Sequence, residues 1–396
     1  MAVSDISRGG TSRLSAMLYD PKVRGMVSQV VLAVLLVALV WWIIGNTVEN
    51  LKRSSIASGF GFLNGRAGFD IAQVPIAYDS DSTYLRALYV GILNTIIISA
   101  VGIVTALALG FIVGIGRLSG NWLVRSLATV YVETFRNIPP LLQIFFWYFG
   151  VLSVLPQPKE SIVMPLGSFL NSRGLFMPRL IWDEGSGLIL IALATAIIIA
   201  GFVAHWSRKR QQDTGQQFPV FWTSFGLIVG LPLLAFFLAK MPVTVELPKL
   251  STFNLSGGSQ IKPEFLSLYL ALSVYTASYI AEIVRSGIVG VAKGQSEASQ
   301  AVGLSRTQLL RLVVIPQAMR IIIPPLTSQF LNLTKNSSLA IAIGYPDLVA
   351  VGGTILNQTG QAIEIVAIWM IVYLGISILT SAFMNWFNAK MALVER

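Results

Sequence analysis

The length of the charge-free apolar runs is the feature that most restricts how this chain can fold. No Asp, Glu, Lys or Arg occurs from residue 87 to residue 116, or from residue 25 to residue 48. A helix needs about 20 mostly apolar residues to cross a bilayer, and both runs exceed that length. Only 12% of the residues are charged, against about 25% in soluble domains, and the mean hydropathy is +0.71. The sequence therefore predicts an all-α, polytopic transmembrane helical bundle.

Charged residues between the apolar runs divide the chain into about eight predicted transmembrane helices. The predicted spans are 25–48, 86–117, 122–154, 187–206, 218–239, 265–281, 316–345 and 365–389, with external loops at 49–86, 155–187 and 240–263. Lys and Arg give a net charge of +10 and collect at the ends of the spans, most densely at Arg208-Lys209-Arg210. By the positive-inside rule, this pattern places both termini in the cytoplasm. It also indicates a lipid bilayer, and not nucleic acid, as the partner of the basic residues.

Two of the predicted spans are irregular. Arg136-Asn137-Ile138-Pro139-Pro140 interrupts the third, so that this span is either kinked or begins at the prolines, which lack amide donors. In the seventh, residues 321–334 would cover only about 21 Å of a hydrocarbon layer roughly 30 Å thick. Either Lys335 therefore lies at membrane depth, where an ionisable residue indicates function, or residues 336–345 complete the span.

Residues 293–316 form a polar, helix-forming stretch between two apolar regions. Residues 295–302 suit a short helix, and Gly303 follows where a left-handed residue would end it. Ser305 and Gln308 have the spacing of a capping box for a second helix, which Pro316 prevents from continuing undisturbed. The stretch therefore predicts a helix–glycine–helix elbow. The alternation of spans places this elbow at the cytoplasmic surface, where it can dock into a groove on another protein.

The elbow resembles the EAA loop of ABC-importer permeases. Glu297-Ala298-Ser299, Gly303 and Val313-Val314-Ile315-Pro316 stand at the spacing of that loop, with Ser in place of the second Ala. Further stretches are similar to the polar amino-acid branch of the same family. These are Asn94-Thr95 with Ser99, Glu133–Gln143, Ala281–Gly287 and Leu333–Leu339. With its added spans, the chain is similar to the enlarged permeases of the general L-amino-acid uptake systems of Gram-negative bacteria.

The resemblance implies a type I ABC importer permease core with a cytoplasmic coupling helix, located in a bacterial inner membrane. The core would comprise residues 85–152 and 264–396, while 1–84 would add one span and a periplasmic loop, and 153–263 would add two spans. The implied partners are two ATPase subunits, a related second permease, a periplasmic amino-acid-binding protein and the L-amino acid itself. ATP would be used by the partner ATPase, because this chain contains no Gly-x-x-x-x-Gly-Lys-Ser/Thr run and is expected to bind no cofactor directly.

Candidate functional residues fall in two regions. For contact with the ATPase, the resemblance points to Glu297, Ala298, Ser299, Gly303, Leu304 and Pro316. A zwitterionic amino acid needs a cation or amide donors for its carboxylate, and the candidates are Arg136, Lys335, Asn336, Ser337 and Ser338. Its ammonium group needs acceptors, and the candidates are Glu133, Gln143, Gln329 and Asn332. Interhelical hydrogen bonding and snorkelling are the alternative roles for each of these side chains.

Two other functional classes are less consistent with the sequence. A self-sufficient secondary amino acid transporter would need midplane carboxylates for ion coupling. Asp and Glu are absent from the interiors of seven of the eight predicted spans, with the interrupted third as the possible exception. A membrane-embedded hydrolase would need catalytic residues, but the chain has no Cys and a single His, His205, which also leaves no plausible zinc site. The chain is therefore not expected to be an enzyme.

Overall fold

The computed structural model describes residues 21–53, 59–250 and 255–391 of the chain. Most of the N-terminal tail predicted to be cytoplasmic, and the C-terminal Arg396, lie outside the described residues. Seven of the described helices are long and apolar enough to cross a membrane. They confirm the predicted class, a polytopic transmembrane helical bundle.

The helices are numbered in chain order. They are α1 (Pro21–Arg53), α2 (Tyr84–Gly116), α3 (Trp122–Asn137), α4 (Pro140–Phe145), α5 (Gly187–Thr214), α6 (Val220–Leu238), α7 (Pro263–Val289), α8 (Lys293–Ala301), α9 (Arg306–Leu309), α10 (Ile315–Asn336), α11 (Leu348–Thr359) and α12 (Ala362–Met391). A π-helical segment, Phe146–Leu152, extends α4, and a second, Leu310–Val314, joins α9 to α10. A 3-10 segment, Ser337–Ile343, continues α10, and shorter 3-10 turns occur at Phe60–Asn64, Pro158–Glu160 and Pro165–Gly167.

The third predicted span does not form one long helix. Helix α3 ends at Asn137, and Ile138 is extended (φ −96°, ψ 124°), as expected for a residue that precedes proline. Pro139 caps α4 and Pro140 opens it, so the apolar part begins at the prolines, as one of the two alternatives held. That part covers only Pro140–Leu152. About eight predicted spans therefore resolve into seven long apolar helices and one shorter one.

Helix α7 is the centre of the bundle, and 61% of the residues in its most apolar stretch are buried within the protein. It packs against α2, α3, α4 and α10. The contact with α2 is close because Gly110 and Gly114 form a Gly-x-x-x-Gly pair on the shared face. A Cβ atom on Gly114 would lie only 2.7 Å from the carbonyl oxygen of Ala281. Small residues that let two backbones approach are a common basis of helix packing in lipid, where apolar burial alone supplies little driving force.

The three added spans lie outside this core. In the most apolar stretches of α1 and α6, no residue is buried within the protein. In that of α5, 11% of the residues are buried. Helices α5 and α6 pack on each other as a hairpin. Helix α5 continues beyond the predicted end of its span at residue 206 to Thr214, and Gly215 (φ 71°) follows it in the left-handed conformation. The apolar sides of these helices are therefore left available to lipid or to a neighbouring subunit.

Strands form in the external loops predicted at 155–187 and 240–263, a feature that the all-α prediction did not include. They are β1 (Ile162–Met164), β2 (Ser168–Asn171), β3 (Gly174–Met177), β4 (Arg179–Trp182), β5 (Val243–Glu246), β6 (Lys249–Leu250), β7 (Leu255–Ser256) and β8 (Ser259–Ile261). They make an antiparallel sheet of order β1-β2-β3-β8 and two separate pairs, β4-β5 and β6-β7. Leu175 pairs with Ile261, and Arg179 pairs with Glu246. These pairings join the two loops on either side of the α5–α6 hairpin.

Candidate functional site

The predicted elbow is present and is closed by local hydrogen bonds. Helix α8 ends at Ala301, and Gly303 has φ +80°, the left-handed conformation that glycine adopts without strain. The Leu304 amide donates to the Ser299 carbonyl at 3.1 Å. Ser305 and Gln308 form the predicted capping box, in which the Ser305 amide donates to Gln308 Oε1 at 2.9 Å. The sequence signals for this turn are therefore confirmed.

The first helix of the elbow has one side against the protein and one side open. Ser299 is buried, and its hydroxyl donates to the Gln295 carbonyl at 2.6 Å. Glu297 and Ala298 are not buried, and Val302 is 76% exposed. A carboxylate beside small and apolar side chains forms a surface that another protein can cover.

The second helix of the elbow is disturbed just before Pro316, as predicted, but it does not stop there. Pro316 does not end it, because the π-helical segment Leu310–Val314 re-registers the backbone and α10 begins at Ile315 with Pro316 in its first turn. The π-helical segment just before Pro316 accommodates a residue that has no amide to donate to the preceding turn. Helix α9 is therefore continuous with the membrane-spanning helix, and Gln317 Nε2 donates to Gln295 Oε1 at 3.3 Å across to α8. The elbow is thus joined to α10 without an intervening loop.

The structure agrees with the second alternative for the seventh span, in which residues beyond Lys335 complete it. Lys335 lies in the last turn of α10, and the 3-10 segment Ser337–Ile343 completes the span beyond it, within a continuous apolar element from Arg306 to Ile343. The Lys335 side chain is exposed and forms no ion pair with the part of the chain that the structure describes.

A polar cavity of about 310 Å³ opens between α7 and α10. Its walls are Tyr275, Thr276, Tyr279, Gln329, Asn332 and Asn336. Three of these, Gln329, Asn332 and Asn336, are predicted substrate-path residues, and their helical spacing places them on one face of α10. The sequence reasoning missed the two tyrosines. Their i, i+4 spacing beside Thr276 places them on one face of α7, but the sequence alone does not say that this face meets α10.

Arg136 lies next to the tyrosine side of the cavity. Its guanidinium carbon is 5.1 Å from the centre of the Tyr279 ring, which is within cation–π distance. The Tyr279 hydroxyl donates to the Arg136 carbonyl at 3.3 Å, and the Tyr275 hydroxyl donates to that of Tyr279 at 3.2 Å. The cavity therefore has a fixed positive charge at one of its edges.

Glu133 belongs to an ion cluster and does not line the cavity. Its carboxylate is 3.7 Å from Arg117, which also contacts Glu282. Arg285 pairs with Glu282 at 2.6 Å, as expected for a structural pair at i, i+3 spacing. The cluster joins the ends of α2, α3 and α7 near the elbow.

The other candidate polar side chains bind nearby backbone. Gln143 Nε2 donates to the carbonyls of Phe135 (2.9 Å) and Ile138 (3.0 Å), which bridges the break before the prolines. Ser337 is buried and donates to the Thr334 carbonyl, and Ser338 donates to the Lys335 carbonyl, both at 2.7 Å. These hydrogen bonds give the three side chains a structural role, close to the alternative that the sequence left open.

A short helix that follows the seventh span, α11, is a second feature that the sequence reasoning missed. Asp347 is fully buried and caps α11 by accepting from the Ala350 amide at 2.8 Å. Thr95 accepts from the Leu348 amide at 3.1 Å, and Asn94 Nδ2 donates to the Pro346 carbonyl at 2.9 Å. The Asn94-Thr95 pair of α2 therefore holds the turn before α11. The N-cap signal of Asp347 and the C-terminal Gly360 could have identified this helix.

No cluster of three or more His, Cys, Asp or Glu side chains that could hold a metal ion occurs in residues 21–53, 59–250 and 255–391. The walls of the cavity carry hydroxyl and amide groups, which suit binding better than catalysis. A bundle of apolar helices with a polar cavity between its spans and an exposed elbow is typical of a membrane transport subunit.

Comparisons with known proteins agree with this class. The family described as binding-protein-dependent transport system inner membrane component matches residues 212–393. The general L-amino acid transport system permease protein AapQ of Rhizobium johnstonii is 64% identical over 98% of this chain and 96% of its own length. The putative amino-acid ABC transporter permease protein YhdX of Escherichia coli is 48% identical over 98% and 99%. The glutamate/glutamine/aspartate/asparagine transport system permease protein BztB of Rhodobacter capsulatus is 39% identical over 97% of both chains. The chain belongs to this family of inner membrane permeases.

Proposed function

We propose that the chain is the permease subunit of an ATP-binding-cassette importer that carries L-amino acids into the cell across the bacterial inner membrane. The observation that carries the proposal is the continuity of the exposed elbow with α10, whose face lines the polar cavity. The names of the three relatives support amino acids as the substrate class. Both termini lie in the cytoplasm in this proposal, as the distribution of Lys and Arg indicates.

Four partners complete the proposed importer. The elbow has no nucleotide-binding sequence beside it, so two copies of a separate ATPase subunit hydrolyse ATP. Glu297, Ala298, Ser299, Gly303, Leu304 and Pro316 form or support the surface that docks on one of them. A related second permease faces the cavity and closes it. A periplasmic binding protein delivers the amino acid from outside.

The proposed mechanism is alternating access. When ATP draws the ATPase subunits together, the elbow moves with the subunit that holds it. The motion passes to α10 because the π-helical junction joins the two without a loop. Helix α10 packs against α7 where Ile322 covers Gly287, so it can shift as a unit against the centre of the bundle. The cavity between α7 and α10 then changes its opening from one side of the membrane to the other.

Amino-acid recognition in the cavity would use amides and one fixed cation. Asn332, Gln329 and Asn336 each carry both donors and an acceptor, so they can serve the carboxylate and the ammonium group. Arg136 attracts the carboxylate from the edge beside Tyr279. Lys335 supplies a second positive charge one helical turn from Asn332. Glu133, Gln143, Ser337 and Ser338 support the path by holding the helices in place.

Reconstitution distinguishes this importer from a self-sufficient secondary amino acid transporter. We expect radiolabelled L-amino acid to accumulate in vesicles only when the chain is present with its ATPase, its second permease, its binding protein and ATP. An imposed proton or sodium gradient across vesicles that contain the chain alone is expected to give no accumulation. Uptake driven by such a gradient without the ATPase would establish the secondary transporter in its place.

Replacing Asn332 with leucine tests the cavity as the substrate path. The change removes a side-chain amide at the centre of the α10 face, and we expect ATP-driven uptake to fall about tenfold or more, the loss expected for hydrogen bonds to a charged group. Ser328→Leu is the matched control, because Ser328 is exposed on the same helix and does not line the cavity. Both variants should assemble with the ATPase. Equal uptake in the two variants would remove Asn332 from the path.

A further inference from the structure

A second pocket, of about 380 Å³, lies at the outer side of the protein, away from the membrane cavity. It opens between the external segment 59–83 and helix α11. Among its walls are Phe69, Asp70 and Ile71 of the segment, and Pro346, Thr354 and Asn357 at and along α11. This volume lies within the range of small-molecule sites, about 300–1,000 Å³.

The segment that forms the outer wall is fixed in place. Asn94 Nδ2 donates to the carbonyls of both Gln73 and Pro346 at 2.9 Å, so one buried amide ties the segment to the turn before α11. The Tyr78 hydroxyl donates to the Phe69 carbonyl at 2.8 Å. Burial, followed by the charges of Asp70 and Asp79, raises the pKa of Tyr78 to about 12, so this donor stays protonated at neutral pH. The pocket is therefore a built feature and not a gap beside a loose loop.

The chemistry of the walls suits a small zwitterion. Asp70 is exposed and forms no ion pair with the described part of the chain, so its carboxylate is free to accept from an ammonium group. The Asn357 amide can donate to a carboxylate, whereas the Thr354 hydroxyl already donates to the Ala350 carbonyl at 3.2 Å. Phe69 and Ile71 offer an apolar wall for a side chain.

The position of the pocket links it to the membrane cavity. Ile341 and Gly344, at the outer end of the helix that begins as α10, also line the outer pocket. Asn336 lines the membrane cavity on the same continuous element. At about 2 Å per residue in a 3-10 segment, Ile341 lies roughly 10 Å beyond Asn336. A molecule that leaves the outer pocket can follow this element inward.

We propose that the outer pocket is an entry subsite of this subunit, in which Asp70 binds the ammonium group of the L-amino acid before the amino acid reaches the membrane cavity. The proposal rests on the proposed function as an amino-acid importer. The proposal adds a recognition step on the outer side of the membrane. This step requires the substrate to carry a positively charged ammonium group.

Thiol protection in the assembled transporter tests this subsite. The chain has no cysteine, so Ala72→Cys introduces a single thiol on this subunit in the wall of the pocket, at a small residue with no part in the proposed binding. The complex in lipid nanodiscs is labelled with a maleimide, with and without L-leucine or its α-hydroxy analogue, in which a hydroxyl replaces the ammonium group. We expect L-leucine to slow labelling of this chain about tenfold, and the hydroxy acid less than about twofold, since a charge-assisted hydrogen bond contributes about tenfold or more to affinity.

Two controls make the result specific. Asp70→Asn in the Ala72→Cys background should abolish the protection, whereas Asp81→Asn, on the same segment but paired with Arg66 at 2.5 Å, should leave it intact. Gln358→Cys, a neighbour outside the pocket, should label at the same rate with and without L-leucine. Equal protection by the hydroxy acid, protection that survives Asp70→Asn, or no protection would overturn the subsite.

Uptake assays separate this test from that of the proposed function. If the same complex accumulates L-leucine with ATP but shows no protection at Ala72→Cys, the subsite is wrong and the importer stands. If the complex accumulates no amino acid under any condition, the proposed function itself fails.

Discussion

Gly303→Pro is expected to abolish ATP-driven uptake while leaving membrane insertion intact. Proline fixes φ near −65°, whereas Gly303 has φ +80°, and proline also removes the amide that donates to the Gln300 carbonyl at 2.9 Å. The elbow would then lose its turn, and α8 would no longer meet α9 at the angle that the docking surface requires. A conflict of about 3 kcal/mol corresponds to more than about a hundredfold loss of the competent geometry.

Substitution of Gly303 by alanine is a milder test of the same turn, and Gly294→Ala is its matched control. A Cβ atom would meet nothing within 4 Å at either Gly303 or Gly294, but only Gly303 has positive φ. Gly303→Ala should therefore lower uptake roughly 5- to 30-fold, since a left-handed alanine costs about 1–2 kcal/mol. Gly294→Ala, in the first turn of α8, should retain normal uptake. Co-purification with the ATPase measures docking in each variant, and near-normal transport by Gly303→Pro would show that the elbow does not couple.

The local turns of the elbow could be predicted from the sequence because they depend on neighbouring residues only. A left-handed glycine, a serine N-cap and a glutamine three residues later specify their own hydrogen bonds, and the structure contains all of them. The membrane spans were equally accessible, since hydropathy and charge decide them without knowledge of the fold. The continuation of the helix through Pro316 could not be predicted from the sequence, because a π-helical segment depends on how α10 is held by its neighbours.

Features that join distant parts of the chain were beyond the sequence reasoning. Asn94 was recognised as part of a resemblance, but its partner, the Pro346 carbonyl, is 252 residues away. Strand β3 pairs with β8 across the whole α5–α6 hairpin. At the candidate site, the face formed by Gln329, Asn332 and Asn336 followed from helical spacing. The tyrosines opposite it required knowing that α7 packs against α10.

The contact between α2 and α7 also joins distant parts of the chain and could not be predicted from the sequence. A substitution at this contact is expected to have the second large effect. Gly110 and Gly114 have the spacing of a helix-contact pair, yet the sequence does not say which helix approaches them. In the structure, a Cβ atom on Gly114 would lie 2.7 Å from the Ala281 carbonyl oxygen and 2.8 Å from Val284 Cβ. The oxygen belongs to the backbone of the most buried helix, so it cannot move aside as a flexible side chain would.

Gly114→Val is therefore expected to destabilise the folded bundle strongly. The helices must separate to admit the side chain, which places the cost at the upper end for overpacking, about 3 kcal/mol or more. The measurement is the midpoint of thermal unfolding of the purified chain in detergent, together with the yield of folded monodisperse protein. Gly375→Val is the control, because Gly375 is also inside a long apolar helix, α12, but a Cβ atom there meets nothing within 4 Å. Both variants carry the same β-branched penalty in a helix, so a difference between them isolates the α2–α7 contact. Similar midpoints for the two variants would mean that the α2–α7 glycine contact does not limit the stability of the bundle.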